Sequence, residues 1–282
     1  MKVYIPRKIG FCFGVRHAIE MVKDELKKGN REIYCLGDLI HNPQVMKELS
    51  EKGVKVILSL SQVKRGTVFT RAHGIDREFL EEGRRRGLKI VETTCPYVMR
   101  VQRITRELAT RSYHIVIVGS AEHPEVKAVI SNTPTKKLSV IKEEKEIERI
   151  PRVEKIGVVA QTTESLDNFK NIVKNLIKDR LEIRVFNTLC KVVIDRQEET
   201  KQLAEKVEAM VVVGGSQSSN TQKLAEICRS SRAKTYLVEK LEDINFNEIK
   251  KLKSAGITGG TSTSEAIIKD IKKRLLNHEI RF

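Results

Sequence analysis

Three of the five cysteines recur at similar intervals, and each comes just before a predicted amphipathic helix. Cys12 lies in GFCFGV, Cys95 in TTCPYV and Cys190 in NTLCKVV, surrounded by residues that are typical of turns. Cys35 and Cys228 lie in apolar stretches and are interpreted as small buried hydrophobes. Three thiolates that converge could hold a metal centre and leave one metal position open for a ligand.

Each cysteine is followed by two polar loops. The first loop begins after an apolar run and a glycine, and it contributes His41, His123 or Ser218, which lie 29, 28 and 28 residues after their cysteines. The second set of loops, FTRAHGID, VVAQTTES and ITGGTSTS, contributes His73, Thr162 and Ser262, which lie 61, 67 and 72 residues after them. Such internal repetition predicts three similar structural units.

The residues alone leave the identity of the metal open. Three cysteines and one of the loop histidines could bind zinc, although zinc sites usually include close pairs such as C-x2-C, and the sequence has none. Iron–sulfur clusters normally have four thiolate ligands. With three, a [4Fe–4S] cluster would keep one iron free to act as a Lewis acid on a substrate oxygen.

The polar loops predict a site for a phosphorylated ligand. Ser218, Ser219 and Asn220 lie in GGSQSSN and Ser262 lies in GGTSTS, and both loops precede predicted helices, whose N-termini favour bound phosphate. The sequence contains no Walker A motif, which argues against a nucleotide. Glu125 follows His123 and Pro124 in HPEV, and it could begin a helix or, if buried, act as a general acid.

The elements that must position these residues alternate between apolar runs and helical periodicity. This pattern predicts parallel α/β layers with crossover helices, in three pseudo-threefold-related α/β units around a central metal centre. We place the units at 14–94, 96–188 and 191–282, and we expect the strand within 1–11 to complete the third. Loops at the carboxyl ends of parallel strands share one edge of a sheet, so the three sets of residues are expected to converge.

Composition narrows the class of protein. The 282-residue chain has a net charge of +16, but its Lys and Arg residues alternate with Glu, which favours a solvated surface, with no role in binding nucleic acid. Aromatic residues are only 5% of the chain, which also argues against nucleic-acid binding. No apolar run is long enough for a membrane span, and the residues before Cys12 are too polar for a secretory signal. We therefore predict a cytoplasmic monomer.

At these residues the sequence resembles the 4-hydroxy-3-methylbut-2-enyl diphosphate reductases, the iron–sulfur enzymes that end the methylerythritol phosphate route to isoprenoids. The resemblance covers nearly the whole chain. It rests on ordered motifs at matching spacing: GFCFGV, IHNP, RAHG, TTCPYV, HPEV, AQTT, NTLC with DRQE, SSN and GGTS.

The resemblance implies a three-lobed α/β fold around one [4Fe–4S] cluster with three cysteine ligands, matching Cys12, Cys95 and Cys190. It implies that the substrate's hydroxyl oxygen binds the unique iron, close to Thr162, and that Glu125 donates a proton. It also implies that ferredoxin or flavodoxin delivers two electrons singly. The residues that match the diphosphate ligands are His41, His73, His123, Ser218, Ser219, Asn220 and Ser262.

The chain departs from the family after its third cysteine. Family members often read ICxAT there, whereas this chain reads Leu189-Cys190-Lys191-Val192-Val193, so Val193 replaces a threonine hydroxyl. We expect this change to adjust the reduction potential of the cluster or the reaction rate without removing a ligand.

The alternative function, a zinc-dependent hydrolase or lyase acting on a phosphorylated substrate, predicts a colourless protein with stoichiometric zinc.

Overall fold

The structure is a computed structural model that describes residues 1–179, 181–249 and 251–276. Within the described residues, none of the helices is both long enough and apolar enough to cross a membrane. The strands are β1 (Lys2–Tyr4), β2 (Ile33–Leu36), β3 (Lys55–Ile57), β4 (Thr67–Phe69), β5 (Lys89–Val91), β6 (His114–Val118), β7 (Leu138–Ile141), β8 (Lys155–Ala160), β9 (Glu182–Val185), β10 (Ala209–Val213), β11 (Lys234–Val238) and β12 (Ser254–Gly259). The helices are α1 (Phe13–Lys27), α2 (Pro43–Glu51), α3 (Arg77–Arg85), α4 (Pro96–Thr110), α5 (Pro124–Ser131), α6 (Leu166–Leu176), α7 (Lys191–Ala204), α8 (Ser219–Arg229), α9 (Phe246–Ile249) and α10 (Glu265–Leu276).

The strands form three four-stranded sheets in which every pairing is parallel. The strand orders are β3-β2-β4-β5, β7-β6-β8-β9 and β11-β10-β12-β1. In each sheet the first strand of the repeat lies between the second and the third, and the fourth pairs with the third. The predicted α/β class with three similar units is confirmed.

The fourth strand of the third sheet comes from the other end of the sequence. β1 pairs with β12, with Val3 opposite Ala255, and this pairing confirms that the strand before Cys12 completes the third sheet. The unit boundaries at 14–94, 96–188 and 191–282 stay predictions, and the last six residues of the third range lie outside the described residues.

The chain forms two compact units. One, here called the terminal unit, contains Met1–Val15, His41–Gln44 and the chain from Lys191 onward, including the third sheet. The other, here called the central unit, contains Arg16–Ile40 and Val45–Cys190, including the first two sheets.

The repeat extends to a 3₁₀ turn after the second strand of each sheet, at Leu60–Gln62, Glu144–Arg149 and Leu241–Asp243. In all three, the last polar side chain of a capping box accepts a hydrogen bond from the backbone N–H that precedes the turn. The acceptors are Gln62, Glu146 and Asp243. Repetition of this local motif shows that the units correspond in detail, although their sequences have diverged.

The inner strands show that the sheets are buried on both faces. Every residue of β6 (HIVIV) and β10 (AMVVV) is buried, as expected for parallel strands covered by helices on both sides. β7 (LSVI) was not predicted from the sequence, and its first three residues are only half-buried. A run of four residues that mixes polar and apolar side chains gives little periodic signal.

Candidate active site

The three repeated cysteines occupy one position in the repeat. Each follows the fourth strand of a sheet and precedes a helix, and all three are half-buried with free thiols. Each cysteine N–H also donates to the loop after the third strand of the same sheet. The N···O distances are 3.0 Å from Cys12 to Thr261, 2.9 Å from Cys95 to Ala72 and 2.9 Å from Cys190 to Thr162.

The other two cysteines have a different environment. Cys35 in β2 and Cys228 in α8 have no exposed surface, and burial raises the pKa of each thiol to about 12. This confirms that they are buried hydrophobes, because a thiol with that pKa supplies almost no thiolate at neutral pH. The repeated trio lies at helix N-termini, and its sulfur donors fit an iron–sulfur or other soft metal centre.

The cysteine N–H groups also establish the register of the second set of loops. Because Ala72, Thr162 and Thr261 accept these bonds, they are the equivalent residues. His73 and Ser262 therefore correspond to Thr163, and Thr162 lies one residue earlier. The three side chains grouped by sequence do not share one position, because insertions between the cysteines and these loops differ among the repeats.

Within the central unit, two of the predicted histidines lie together. The rings of His73 and His123 pack edge to face with their centroids 5.6 Å apart. His123 is the N-cap of α5, and its Nδ1 accepts a hydrogen bond from the backbone N–H of Glu125 at 3.2 Å. In a neutral ring this leaves the proton on Nε2, so that Nε2 can donate to an anionic ligand.

Glu125 is almost completely buried, with 1% of its surface exposed. Its Oε1 accepts from the N–H of Thr162 at 2.6 Å, and its Oε2 pairs with the Thr162 hydroxyl at 2.7 Å. Burial raises the pKa of the carboxyl to about 7, against the opposing effect of the two bonds from Thr162. The side chain can therefore hold a proton at neutral pH and release it to the Thr162 hydroxyl.

Within the terminal unit, the Cys12 loop and the Ser262 loop are joined. The N–H of Cys12 binds the carbonyl of Thr261, and the amide of Asn42 donates to the carbonyl of Ser262 at 2.6 Å. Asn42 is the neighbour of half-buried His41, so this bond holds the His41 loop beside the same segment. Asn42 was not predicted to be a positioning residue, although it lies in the IHNP motif.

The start of α8 carries the polar group of the third repeat. Ser218 is the N-cap, and its hydroxyl accepts from the N–H of Thr221 at 3.4 Å. Ser219 begins the helix, and Asn220 is 2% exposed. Among the described residues neither polar atom of the Asn220 side chain has a hydrogen-bond partner. The Nδ2 of such an amide, at a helix N-terminus, could donate to a bound phosphate.

Two of the remaining histidines lie within the described residues, and neither is in a polar loop. His17 lies on the exposed face of α1. His114 begins β6, is buried and pairs through Nε2 with the Ser139 hydroxyl at 2.8 Å. His278 lies outside the described residues.

The predicted residues therefore assemble in two groups, and each lies within one compact unit. The central unit contains His73, Cys95, His123, Glu125, Thr162 and Cys190, and the terminal unit contains Cys12, His41, Ser218, Ser219, Asn220 and Ser262. Convergence of the two groups on one metal centre stays a prediction.

Three parallel α/β repeats, each with a cysteine ahead of a helix, define a class of three-sheet α/β proteins with a soft-metal donor set. The family model described as LytB protein matches residues 3–276, and the chain belongs to this family.

Similar proteins share one activity in name. The chain is 39% identical to the 4-hydroxy-3-methylbut-2-enyl diphosphate reductase of Geobacter metallireducens over 98% of this chain and 97% of that protein. It is 40% identical to the reductase of the same name from Geotalea uraniireducens, again over 98% and 97%.

Two solved structures are also similar. That of the E-1-hydroxy-2-methyl-but-2-enyl-4-diphosphate reductase from Plasmodium falciparum matches with a TM-score of 0.92 at 26% identity, over 98% of this chain and 88% of that one. A second, of (E)-4-hydroxy-3-methyl-but-2-enyl diphosphate reductase, matches with a TM-score of 0.71 at 34% identity, over 98% and 99%.

Proposed function

We propose that this chain reduces 4-hydroxy-3-methylbut-2-enyl diphosphate to isopentenyl diphosphate and dimethylallyl diphosphate, at the unique iron of a [4Fe–4S] cluster. Relatives that carry this activity in their names support the proposal along the full chain. Cys12, Cys95 and Cys190 would hold the cluster, since they share one repeat position and differ in exposure from the two buried cysteines.

The reaction balances with two electrons and two protons. The C–O bond to the hydroxyl breaks, one proton leaves with the oxygen as water, and the other is added to a carbon of the allylic fragment. When bound, the cluster supplies single electrons and Lewis acidity towards the hydroxyl oxygen. The protein must then hold the diphosphate, orient the hydroxyl and deliver protons.

The observation that carries the proposal is the position of Thr162. Its carbonyl accepts the N–H of Cys190 at 2.9 Å, while its N–H and hydroxyl bind the buried carboxyl of Glu125. A single residue thus joins a predicted cluster ligand to a carboxyl that is about half protonated at pH 7, given its pKa of about 7. We assign the proton supply to Glu125 and its transfer to the Thr162 hydroxyl, which can accept one proton while donating another.

Diphosphate binding is assigned to the two groups of polar side chains. His123 offers its Nε2 proton, because Nδ1 is occupied by the N–H of Glu125. The start of α8 offers helix N–H groups and the unpartnered amide of Asn220. His41, His73, Ser218, Ser219 and Ser262 complete the proposed set.

We propose ferredoxin or flavodoxin as the electron donor. The helix that follows Cys95 exposes Arg100, Arg103 and Arg106, which lie three residues apart and therefore share one side of α4. Met99 lies beside them, with 47% of its surface exposed. A basic surface with an apolar residue, close along the chain to a cluster ligand, fits an acidic protein that must approach the cluster. We also propose a monomer, and a cytoplasmic location, since none of the five cysteines forms a disulfide in the described residues, as in a reducing compartment.

Anaerobic reconstitution tests this function. We expect a brown, oxygen-sensitive protein with about four irons and four sulfides per chain, which converts the allylic diphosphate to both products when supplied with a reductant. A colourless protein with one zinc per chain and no reductive turnover would refute the reductase and support the zinc-dependent hydrolase or lyase.

The role of Glu125 is tested by Glu125→Gln, because glutamine keeps the shape of the side chain but cannot supply the proton. We expect turnover to fall by about 10²-fold or more while the cluster spectrum is unchanged. Glu122→Gln is the matched control, since Glu122 lies on the same loop but is exposed. Near-normal turnover in the first variant would remove Glu125 as proton donor.

A further inference from the structure

A buried arginine lies beneath the loops of the terminal unit. Arg196 of α7 is 2% exposed, and its guanidinium donates to three backbone carbonyls. Nη1 binds Gly259 at 2.8 Å and Gly260 at 2.7 Å, and Nη2 binds Gly10 at 2.9 Å. Hydrogen bonds from a charged donor are about twice as strong as neutral ones, and the planar fork fixes the direction of each.

These carbonyls belong to two loops that carry proposed functional residues. Gly10 lies two residues before Cys12, and Gly260 lies two residues before Ser262. The loops touch directly through the N–H of Cys12 and the carbonyl of Thr261, at 3.0 Å. Arg196 therefore adds a second, charged connection between the same two segments.

The loops need such a connection because the residues that Arg196 binds are glycines. Gly10 has φ +82°, a conformation that other residues rarely adopt, and a Cβ there would lie 3.3 Å from that of Glu265. A Cβ on Gly260 would overlap the Thr221 hydroxyl, so this position cannot gain a side chain either. Glycine segments have no side chains of their own to fix them, and their conformational freedom is large.

We propose that Arg196 is a positioning residue, which holds the Cys12 loop and the Ser262 loop at a fixed separation. This inference rests on the proposed function, in which Cys12 binds the cluster and Ser262 binds the diphosphate. The three bonds described for the guanidinium all go to backbone carbonyls of the two loops, so these bonds affect the reaction through the loops. A displacement of about 1 Å in such a site can reduce the rate about 10²-fold.

Two substitutions and a matched control test the proposal. Arg196→Met keeps an unbranched side chain similar to the arginine stem and removes all three bonds, whereas Arg196→Lys keeps the charge but not the fork. Arg229→Met and Arg229→Lys are the controls, because Arg229 is exposed at the end of α8 in the same unit.

The first measurement is amide hydrogen exchange, which does not depend on enzymatic activity. We expect exchange at Cys12 and Gly260 to accelerate about tenfold or more in Arg196→Met and less in Arg196→Lys, with the β10 amides unchanged. If Arg196 served only global stability, the β10 amides would accelerate by the same factor. That result, or unchanged exchange at both loop amides, would overturn the proposal.

The second measurement is made on the reconstituted enzyme. We expect kcat/KM to fall by about 10²-fold in Arg196→Met, with partial recovery in Arg196→Lys and an altered electron paramagnetic resonance signal from the reduced cluster. If Arg196→Met does not fold, Arg196→Lys decides, and wild-type exchange and kcat/KM in that variant would refute the role. If the wild-type protein lacks reductase activity, the proposed function fails, while the exchange experiment still decides whether Arg196 joins the loops.

Discussion

The buried carboxyl of Glu125 should make the stability of the protein depend on pH. Burial disfavours the ionised form and raises the pKa of this carboxyl from its ordinary value of 4.5 to about 7 in the folded protein. The folded state therefore binds this proton more tightly than the unfolded state does. The contribution of Glu125 to the free energy of unfolding is therefore greatest below pH 4.5. It declines as pH rises between 4.5 and about 7, and it is constant above that.

The size of this pH effect on the free energy of unfolding depends on the difference between the two pKa values. One pKa unit corresponds to about 1.4 kcal/mol, so the full difference is about 3 kcal/mol, of which about 2 kcal/mol falls between pH 5.5 and pH 8. Glu125→Gln removes the titration and keeps a side chain that can pair with Thr162. Relative to the wild type, the variant should therefore gain about 2 kcal/mol between pH 5.5 and pH 8, or roughly 4–8 °C in Tm.

The assay is thermal or urea unfolding of wild type and variant in parallel, in matched buffers at several pH values from 5.5 to 8.5. Other titrating groups cancel in the difference between the two proteins. Glu122→Gln is the control. Lys127 lowers the pKa of Glu122, so its ionisation is complete before pH 5.5 and its difference from wild type should be flat. A flat difference for Glu125→Gln would refute the raised pKa and with it the assignment of a stored proton.

Three further predictions concern the cluster, the diphosphate and the donor. Cys95→Ser should lose most of its iron, but the free energy of unfolding of the metal-free protein should not fall, since serine is a good N-cap for α4. Cys228→Ser should lower the free energy of unfolding by about 1–3 kcal/mol and keep its iron. Full iron in the first variant would contradict its ligand role. Asn220→Ala should weaken the binding of inorganic diphosphate about 10- to 100-fold in calorimetry without loss of stability, because it removes two unpartnered buried atoms, and an unchanged affinity would argue against the α8 site. Reversing the charges of Arg100 and Arg103 to glutamate should slow reduction by the donor protein about tenfold at low salt but not turnover with a small chemical reductant. The same charge reversal at Arg84 and Arg85, two exposed arginines at the end of α3, should have no effect on reduction. Equal slowing there would point to net charge alone.

The sequence was most informative where repetition and chemistry coincide. The three cysteines could be grouped because turn residues surround them and their intervals are similar, and their common position in the three sheets confirms the grouping. The completion of the third sheet by β1 could be predicted because the other two repeats each have a fourth strand and the third lacks one.

Other features depend on three-dimensional contacts that no local pattern specifies. β7 is short and half-buried, although its counterparts β3 and β11 in the other repeats would have indicated it. The register of Thr162 became visible only through the cysteine N–H bonds. Arg196 looks like any charged residue of a helix, since its role arises from carbonyls that are distant in sequence.

The pairing of β1 with β12 also determines when the protein can finish folding during synthesis. Lys2 is synthesised about 250 residues before its partner Ser254. The first two sheets draw all their strands from residues 33–185 and can form while the rest is still being made, whereas the third must wait. The Cys12 loop follows β1, so it stays unfixed until β12 has been made. Insertion of the proposed metal centre is therefore expected only after synthesis of β12, and a nascent chain stalled before β12 should lack it.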